Sequence, residues 1–256
     1  MVNDKFLGLV IGNSRFHWAY FEANTLIEVW HSKHLAKKVT PEILLHDLLP
    51  STVKKIVTNQ KLPIYLASVV PSQTALWQNY PYLREITLKD IPIKNLYPTM
   101  GIDRALAIYG AGKVYGYPCL VIDGGTALTF TGVDREEILV GGAILPGLRS
   151  QFKLLHDQTA ALPQVESTSA LPQRWAKDTV NAIRSGIVYT LVAGIESFIL
   201  NWLTNFPDSQ ILLTGGDGNA IYEYLQVEYP ELIKKITLDQ DLIFRGLQFM
   251  VNPVAE

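Results

Sequence analysis

A strand and glycine-turn pattern that occurs twice in the chain constrains the fold more than any other feature. In the first half, three apolar strands are predicted at residues 6–11, 16–21 and 26–30. In the second half, three similar strands are predicted at residues 120–122, 127–131 and 138–144. Self-similarity at about half the chain length indicates an internal duplication. Because helical or mixed sequence follows each unit, we predict an α/β protein with two similar lobes, each a mixed sheet flanked by helices.

The glycine turns inside these units are candidate phosphate-binding loops. Gly12-Asn13-Ser14 follows the first strand of the first unit, and Asp123-Gly124-Gly125-Thr126 follows the first strand of the second. A turn without bulky side chains lets backbone N–H groups approach an anion, and neighbouring hydroxyls add donors. One such turn from each lobe would hold a polyphosphate from two sides. The same residue types are common in ordinary hairpin turns, so a purely structural role stays open.

A third candidate is Gly101-Ile102-Asp103-Arg104, which begins a helical pattern ending near Gly116. An aspartate there can accept a proton, and the planar fork of an arginine can anchor a carboxylate near the electropositive start of a helix. The alternative is an aspartate that caps the helix beside a solvated arginine. Glycine-rich strand ends at 141–147 and 214–218 suit a nucleotide site, and they suit plain strand-to-helix turns equally well.

Signatures of other nucleotide-binding folds fit poorly. Residues 110–114 imitate the end of a P-loop, but no Ser or Thr follows Lys113 and the helical pattern continues through the segment. No GxGxxG follows a predicted strand, and no Cys/His spacing predicts a zinc site.

Composition favours small-molecule partners or a second copy of the chain. The 256 residues are 48% hydrophobic and 18% charged, which is enough to bury one large core or two joined ones. A net charge of −2 without a Lys/Arg-rich run argues against nucleic acid or membrane binding. The N-terminus lacks an export signal, so we expect a cytoplasmic protein. The single cysteine, Cys119, is expected to be buried, and residues 186–203 to form a buried helix with a core or subunit-contact face.

Eight short blocks, in order along nearly the whole chain, carry a family resemblance. They are IGNS at 11–14, SVVP at 68–71, GIDR at 101–104, DGGTALT at 123–129, GGAILPG at 141–147, TAALP at 159–163, DTVNAIRSGI at 178–187 and TGGDG at 214–218. In this order they resemble the type III pantothenate kinases of bacteria, members of the actin/sugar-kinase/heat-shock ATPase superfamily. The resemblance implies a duplicated ribonuclease-H-like fold, with lobes that we place at residues 1–104 and 105–256 and with ATP between them.

The resemblance also implies an activity and a set of site residues. The activity is transfer of the ATP γ-phosphate to the primary hydroxyl of pantothenate, the first step of coenzyme A biosynthesis. Asp103 would be the catalytic base. The implied substrate-binding residues are Gly101, Ile102, Asp103, Arg104 and Thr179, with Tyr97 as a further candidate. The implied ATP-binding residues are Gly12, Asn13, Ser14, Arg15 and Thr126. Asp123 would bind potassium or ammonium, magnesium would accompany ATP, and the protein would form a homodimer as the family does.

Two features depart from the family pattern. The first turn of the family usually begins with an aspartate, whereas Val10 stands here and cannot bind a hydrated magnesium ion. This leaves open a weakly active enzyme or one whose magnesium is held by Asp123 and water. The chain ahead of the GIDR block is shorter than the usual family loop, which is why Tyr97 is only a candidate. Two alternatives therefore stay open: a catalytically weak or silent nucleotide-binding relative, and a kinase of the same architecture for another small alcohol such as a sugar.

Overall fold

The computed structural model describes residues 4–40, 43–57 and 62–253. The chain divides into two compact units. Unit 1 comprises residues 1–110 and 243–256, and unit 2 comprises residues 111–242. Relative to the lobes drawn from the sequence at 1–104 and 105–256, the C-terminal residues group with the first unit.

Unit 1 is built on a five-stranded mixed sheet. Its strands are β1 (Lys5–Ile11), β2 (Phe16–Glu22), β3 (Thr25–Ser32), β4 (Ile64–Ser68) and β5 (Leu83–Glu85). They lie in the spatial order β3-β2-β1-β4-β5. The first three strands form an antiparallel meander, while β4 runs parallel to β1 and β5 runs parallel to β4.

Unit 2 repeats this topology. Its strands are β6 (Cys119–Gly124), β7 (Ala127–Val133), β8 (Leu139–Pro146), β9 (Gln210–Thr214) and β10 (Ile236–Leu238). Their order is β10-β9-β6-β7-β8, again with an antiparallel meander followed by two parallel strands. The predicted duplication of a mixed sheet flanked by helices is confirmed.

The helices connect and cover the sheets. In chain order they are α1 (Ser51–Val57), α2 (Pro71–Thr74), α3 (Ile102–Tyr115), α4 (Leu148–Asp157), α5 (Thr179–Asn205), α6 (Gly218–Glu228), α7 (Pro230–Ile233) and α8 (Leu242–Val251). The segment that imitates a P-loop lies within α3, which confirms the helical interpretation. Cys119 is fully buried at the start of β6, and this burial raises the pKa of its thiol.

Close backbone contacts explain why the C-terminal helix belongs to unit 1. A Cβ atom on Gly8 of β1 would lie 3.1 Å from a methyl carbon of Leu247 in α8. A Cβ atom on Gly246 would lie only 2.0 Å from the carbonyl oxygen of Leu106 in α3. Glycine at both positions lets α8 lie directly against β1 and α3. Sequence spacing alone cannot reveal such a return of the chain.

Helix α5 is the apolar helix expected from the sequence. Its start is capped by Asp178, whose carboxylate accepts a hydrogen bond of 2.9 Å from the Asn181 backbone N–H. Leu191, Ile195 and Ile199 are buried in the core of unit 2. Among the described helices, α5 is long and apolar enough to cross a membrane, and 33% of its most apolar window is buried. Core helices of soluble proteins can have the same length and composition. The buried apolar residues of α5 belong to the core of unit 2.

Candidate active site

The first glycine turn connects β1 to β2 in unit 1. The backbone N–H of Gly12 donates to the carbonyl oxygen of Arg15 across 3.1 Å, which closes the turn. The Nε2 atom of His34 lies 2.8 Å from the Gly12 carbonyl oxygen. A Cβ atom on Gly12 would lie 3.3 Å from Nε2 of His17. The predicted ATP-binding residues Gly12, Asn13, Ser14 and Arg15 thus form a compact turn with histidine rings beside it.

The GIDR segment forms the first turn of α3. Asp103 Oδ1 accepts a hydrogen bond of 2.8 Å from the Arg104 backbone N–H. A Cβ atom on Gly101 would lie 2.4 Å from that carboxylate oxygen, so a side chain at position 101 would displace it. Because α3 begins at Ile102, Asp103 lies inside the helix and not at its cap position. This position argues against the alternative in which Asp103 caps the helix.

Arg104 and Tyr97 lie together. The Arg104 Nη1 donates to the Tyr97 hydroxyl across 2.8 Å, and Arg104 is buried, with 8% of its surface exposed. This burial rules out the solvated arginine that the sequence left open. A guanidinium oriented by a tyrosine is held in a fixed direction, which suits recognition of a carboxylate.

The environment of Asp103 perturbs its proton affinity. Burial raises the pKa of the Asp103 carboxyl, while the backbone hydrogen bond from Arg104 and the Arg104 charge oppose that rise. The side chain keeps a path to solvent, but protein surrounds most of it, and the loss of hydration dominates. A carboxylate in these surroundings accepts a proton more readily than an exposed aspartate.

A cavity of about 320 Å³ lies in unit 1 beside this helix start, within the size range of small-molecule pockets. Its lining comprises residues 68–69, 85–88 and 98–102. Gly101 and Ile102 are thus in the wall, whereas Tyr97, Asp103 and Arg104 are adjacent to it in sequence and outside the lining. The contribution of residues 85–88, after β5, was not predicted because no motif marks that segment.

Val69 connects the glycine turn to the helix start. Its backbone N–H donates to the Ile11 carbonyl oxygen across 3.1 Å. A Cβ atom on Gly101 would lie 3.6 Å from a methyl carbon of Val69. Since β1 and β4 are parallel, both approaches occur at the carboxyl ends of these strands. Unit 1 therefore brings the predicted ATP turn and the predicted catalytic segment to the same edge of its sheet.

The second glycine turn, between β6 and β7 in unit 2, is held by the start of α4. The Gly147 N–H and the Ser150 hydroxyl both donate to the Thr126 carbonyl oxygen, at 3.0 Å and 2.6 Å. A Cβ atom on Gly147 would lie 2.1 Å from the Gly125 carbonyl oxygen. The backbone of this turn is therefore fixed, and the Thr126 side chain is exposed.

A third glycine turn, after β9, encloses the Asp123 carboxylate. Gly215 has a φ of +90°, and a Cβ atom there would lie 2.2 Å from Asp123 Oδ1. The Asp217 N–H also donates to the Gly124 carbonyl oxygen across 2.7 Å. A carboxylate surrounded by glycine backbone offers the oxygen ligands that a hard cation prefers, so these residues fit the predicted potassium ion.

The residues do not provide a comparable site for magnesium. Val10, at the position of the family aspartate, is 1% exposed and has no donor atom. Among residues 4–40, 43–57 and 62–253, no three His, Cys, Asp or Glu side chains form a group able to hold a metal ion. The position of the family aspartate therefore offers magnesium no side-chain ligand in this chain.

An ion pair between Arg149 and Asp217 was not predicted. Arg149 Nε lies 2.6 Å from Asp217 Oδ1, and a second guanidinium nitrogen donates to the Gly216 carbonyl oxygen. The Asp217 side chain is 7% exposed, whereas that of Arg149 is 66% exposed. The pair connects α4 to the turn after β9, so one helix contacts both glycine turns of unit 2.

Thr179 is the exposed first residue of α5, directly after the cap Asp178. The predicted site residues therefore divide between the units. Unit 1 contains Gly12 to Arg15, Tyr97 and Gly101 to Arg104, and unit 2 contains Asp123, Thr126 and Thr179.

Comparison with known proteins shows where this arrangement belongs. The model of the type III pantothenate kinase family matches residues 6–201. Type III pantothenate kinases from Nostoc sp. and Synechocystis sp. are each 45% identical to the chain, covering 99% and 96% of it and 97% and 91% of their own lengths.

Solved structures share the fold at low sequence identity. A Campylobacter jejuni protein described as a Baf family transcriptional activator has a TM-score of 0.62 at 20% identity, covering 96% of this chain and 97% of its own. MreB5 of Spiroplasma citri bound to ADP has a TM-score of 0.50 at 10% identity, with coverage of 96% and 95%. These likenesses identify the actin-like ATPase fold. The chain, matched by the family model over most of its length, belongs to the type III pantothenate kinases.

Proposed function

We propose that this chain transfers the γ-phosphate of ATP to the primary hydroxyl of pantothenate, the first step toward coenzyme A. The observation that carries the proposal is the position of Asp103, a carboxylate with a raised pKa that directly follows the cavity-wall residues Gly101 and Ile102 in the chain and neighbours the Arg104–Tyr97 pair. Family membership supports the same substrates.

The reaction does not require a strong base. Ionised Asp103 accepts the proton of the hydroxyl group, whose oxygen forms a bond to the γ-phosphorus. The bond between that phosphorus and the oxygen bridging to the β-phosphate breaks, and ADP leaves with the electron pair. Phosphoryl transfer depends mainly on positioned oxygens and neutralised charge, so an aspartate suffices. Arg104, oriented by Tyr97, anchors the pantothenate carboxylate, and Thr179 contacts pantothenate.

The glycine turns hold the nucleotide. Backbone N–H groups of the turn from Gly12 to Arg15 that are not used to close it contact the phosphates, and Thr126 is a further phosphate contact. Asp123 would hold potassium or ammonium, which would supply a fixed positive charge near the phosphates. Magnesium would accompany ATP, because the side chain of Val10 offers it no ligand. The enzyme acts as a cytoplasmic homodimer, in which apolar residues exposed on α5, such as Leu200, contribute to the subunit contact.

The test is a direct assay of purified protein with ATP, pantothenate, magnesium and potassium, with mass detection of phosphopantothenate. The Asp103→Asn variant should lose at least about 100-fold in kcat, the scale of a lost general base. Asp157→Asn, on the exposed end of α4, is the matched control and should turn over normally.

Full turnover by a folded Asp103→Asn protein would remove Asp103 from the mechanism. Nucleotide binding without product would favour the silent relative, and product only with another alcohol in an acceptor panel would favour the kinase of different specificity.

A further inference from the structure

Three side chains form a row across the first three strands of unit 1. Val10 of β1 pairs with His17 of β2, and His17 pairs with His31 of β3. Residues directly opposite one another in an antiparallel sheet present their side chains on the same face. The rings of His17 and His31 meet edge to face, with their centroids 4.8 Å apart.

This histidine pair, His17 with His31, lies against the first glycine turn. The Nε2 atom of His17 is 3.3 Å from the position that a Cβ atom would occupy on Gly12. Gly12 and Arg15 are also joined through the hydrogen bond that closes the turn. A ligand held by the backbone of this turn would therefore have the pair as its neighbour.

The charges around the pair favour an anion. Burial, then the neighbouring His31 and Arg15, lower the pKa of His17 to about 4. Burial and Arg15 lower the pKa of His31 as well. Across the row the facing group on β1 is the apolar Val10. At the turn itself, His34 Nε2 lies 2.8 Å from the Gly12 carbonyl oxygen. Within the described part of the chain, the neighbours that lower the pKa of either histidine are His31 and Arg15. The lowered pKa values favour the neutral imidazoles at pH 7, beside an arginine whose charge repels metal cations and attracts phosphate.

We propose that the histidine pair is a proton-linked part of the nucleotide site, taking up a proton when a polyphosphate binds at the first glycine turn. The proposal rests on the proposed binding of ATP at that turn. An anion within about 4–6 Å of an imidazole raises its pKa by about one to three units. Because two adjacent imidazolium ions repel each other, the pair gains a single shared proton, and its titration belongs to both rings.

The linkage has a definite sign. Uptake of a proton on binding means that nucleotide affinity increases as pH falls between the bound and the free pKa values of the pair. A rise of one unit tightens binding by up to about tenfold across that interval. Substituting both rings with glutamine keeps hydrogen-bonding groups but removes this dependence.

Titration calorimetry tests the linkage with the magnesium complex of a nonhydrolysable ATP analogue. Measurements at about pH 5, between the free and bound pKa values of the pair, in buffers of different ionisation enthalpy give the number of protons taken up on binding. The wild type should take up more protons than His17→Gln/His31→Gln. The control His156→Gln, altered on exposed α4, should match the wild type. Protonation of the analogue itself is the same in all three proteins.

Equal proton uptake by the wild type and the double variant, with binding intact, would overturn this proposal and leave the proposed function standing. Complete absence of nucleotide binding to the wild type would overturn both. If the double variant does not fold, proton NMR titration of the wild-type histidines decides the matter. The pKa of His17 should rise by at least about one unit with the analogue bound, and an unchanged pKa would overturn the linkage.

Discussion

Removal of the Arg149 side chain should destabilise the protein through the carboxylate it leaves behind. Asp217 is 7% exposed and its Oδ1 lies 2.6 Å from Arg149 Nε. A second ion pair, Arg135 with Asp208, provides a matched comparison. Its arginine is 62% exposed, close to the 66% of Arg149, but its aspartate is 79% exposed. The two pairs differ mainly in how far water can solvate the carboxylate once the arginine is gone.

The expected magnitudes follow from that difference. Removing one partner of a fully buried pair costs about 3–5 kcal/mol, because the remaining charge has neither partner nor water. Exposed pairs contribute about 0.2–1 kcal/mol. Since Arg149 is itself largely solvated, water will reach part of the vacated space, and we expect Arg149→Ala to cost about 2 kcal/mol. Arg135→Ala should cost at most about 0.5 kcal/mol.

Urea unfolding of both variants and the wild type measures these costs as midpoint shifts at constant slope. Arg149→Ala should also raise the KM for ATP while leaving the KM for pantothenate unchanged, because Arg149 holds the Gly216 carbonyl oxygen in the turn that encloses Asp123, the proposed ligand of the cation near the phosphates. Arg149→Lys should recover part of the stability by restoring the charge. Equal destabilisation by Arg149→Ala and Arg135→Ala would refute the reasoning from burial.

The other predictions concern the glycine turn around Asp123 and the proposed base Asp103. Gly215→Ala should destabilise by about 2–4 kcal/mol, because its φ of +90° is strained for alanine and the methyl group would meet Asp123. Gly186→Ala, in open space on α5, should instead stabilise by about 0.5–1 kcal/mol in the same urea experiment. Replacing potassium by sodium should sharply lower kcat, and indifference would count against a cation at Asp123. Because burial raises the pKa of Asp103, kcat/KM should fall as the pH decreases, with an apparent pKa above 3.8. A pH–rate profile whose acid limb has an apparent pKa at or below 3.8 would contradict the assignment of Asp103 as the base. The same burial makes the ionised carboxylate costly at pH 7, so Asp103→Asn should be at least as stable as the wild type to urea.

The strands and glycine turns could be predicted because their signals are local. Apolar residues on either side of a turn that contains glycine mark β6 and β7, and a similar pattern marks β1 and β2. The signal for the start of a helix at Gly101 was also local. The family resemblance added roles for Asp103, Asp123 and Thr179 that spacing alone did not supply.

The features that could not be predicted from the sequence depend on contacts between residues distant in the chain. Arg149 and Gly216 are 67 positions apart, and nothing near either one indicates their hydrogen bond. The row from Val10 to His31 depends on strand register, since a shift of one residue would move His17 to the other face of the sheet. The cavity wall at residues 85–88 carries no motif, so only the fold reveals it.

The return of α8 to β1 affects the order in which the protein can be completed during synthesis. Unit 2 is one continuous stretch, so all of it leaves the ribosome before Leu247 does. Until then, the surface of β1 around Gly8 lacks its covering helix and is available to chaperones or to other nascent chains. Removing α8, or fusing a partner that prevents it from docking, should therefore impair unit 1 while sparing unit 2, which immediately precedes the helix.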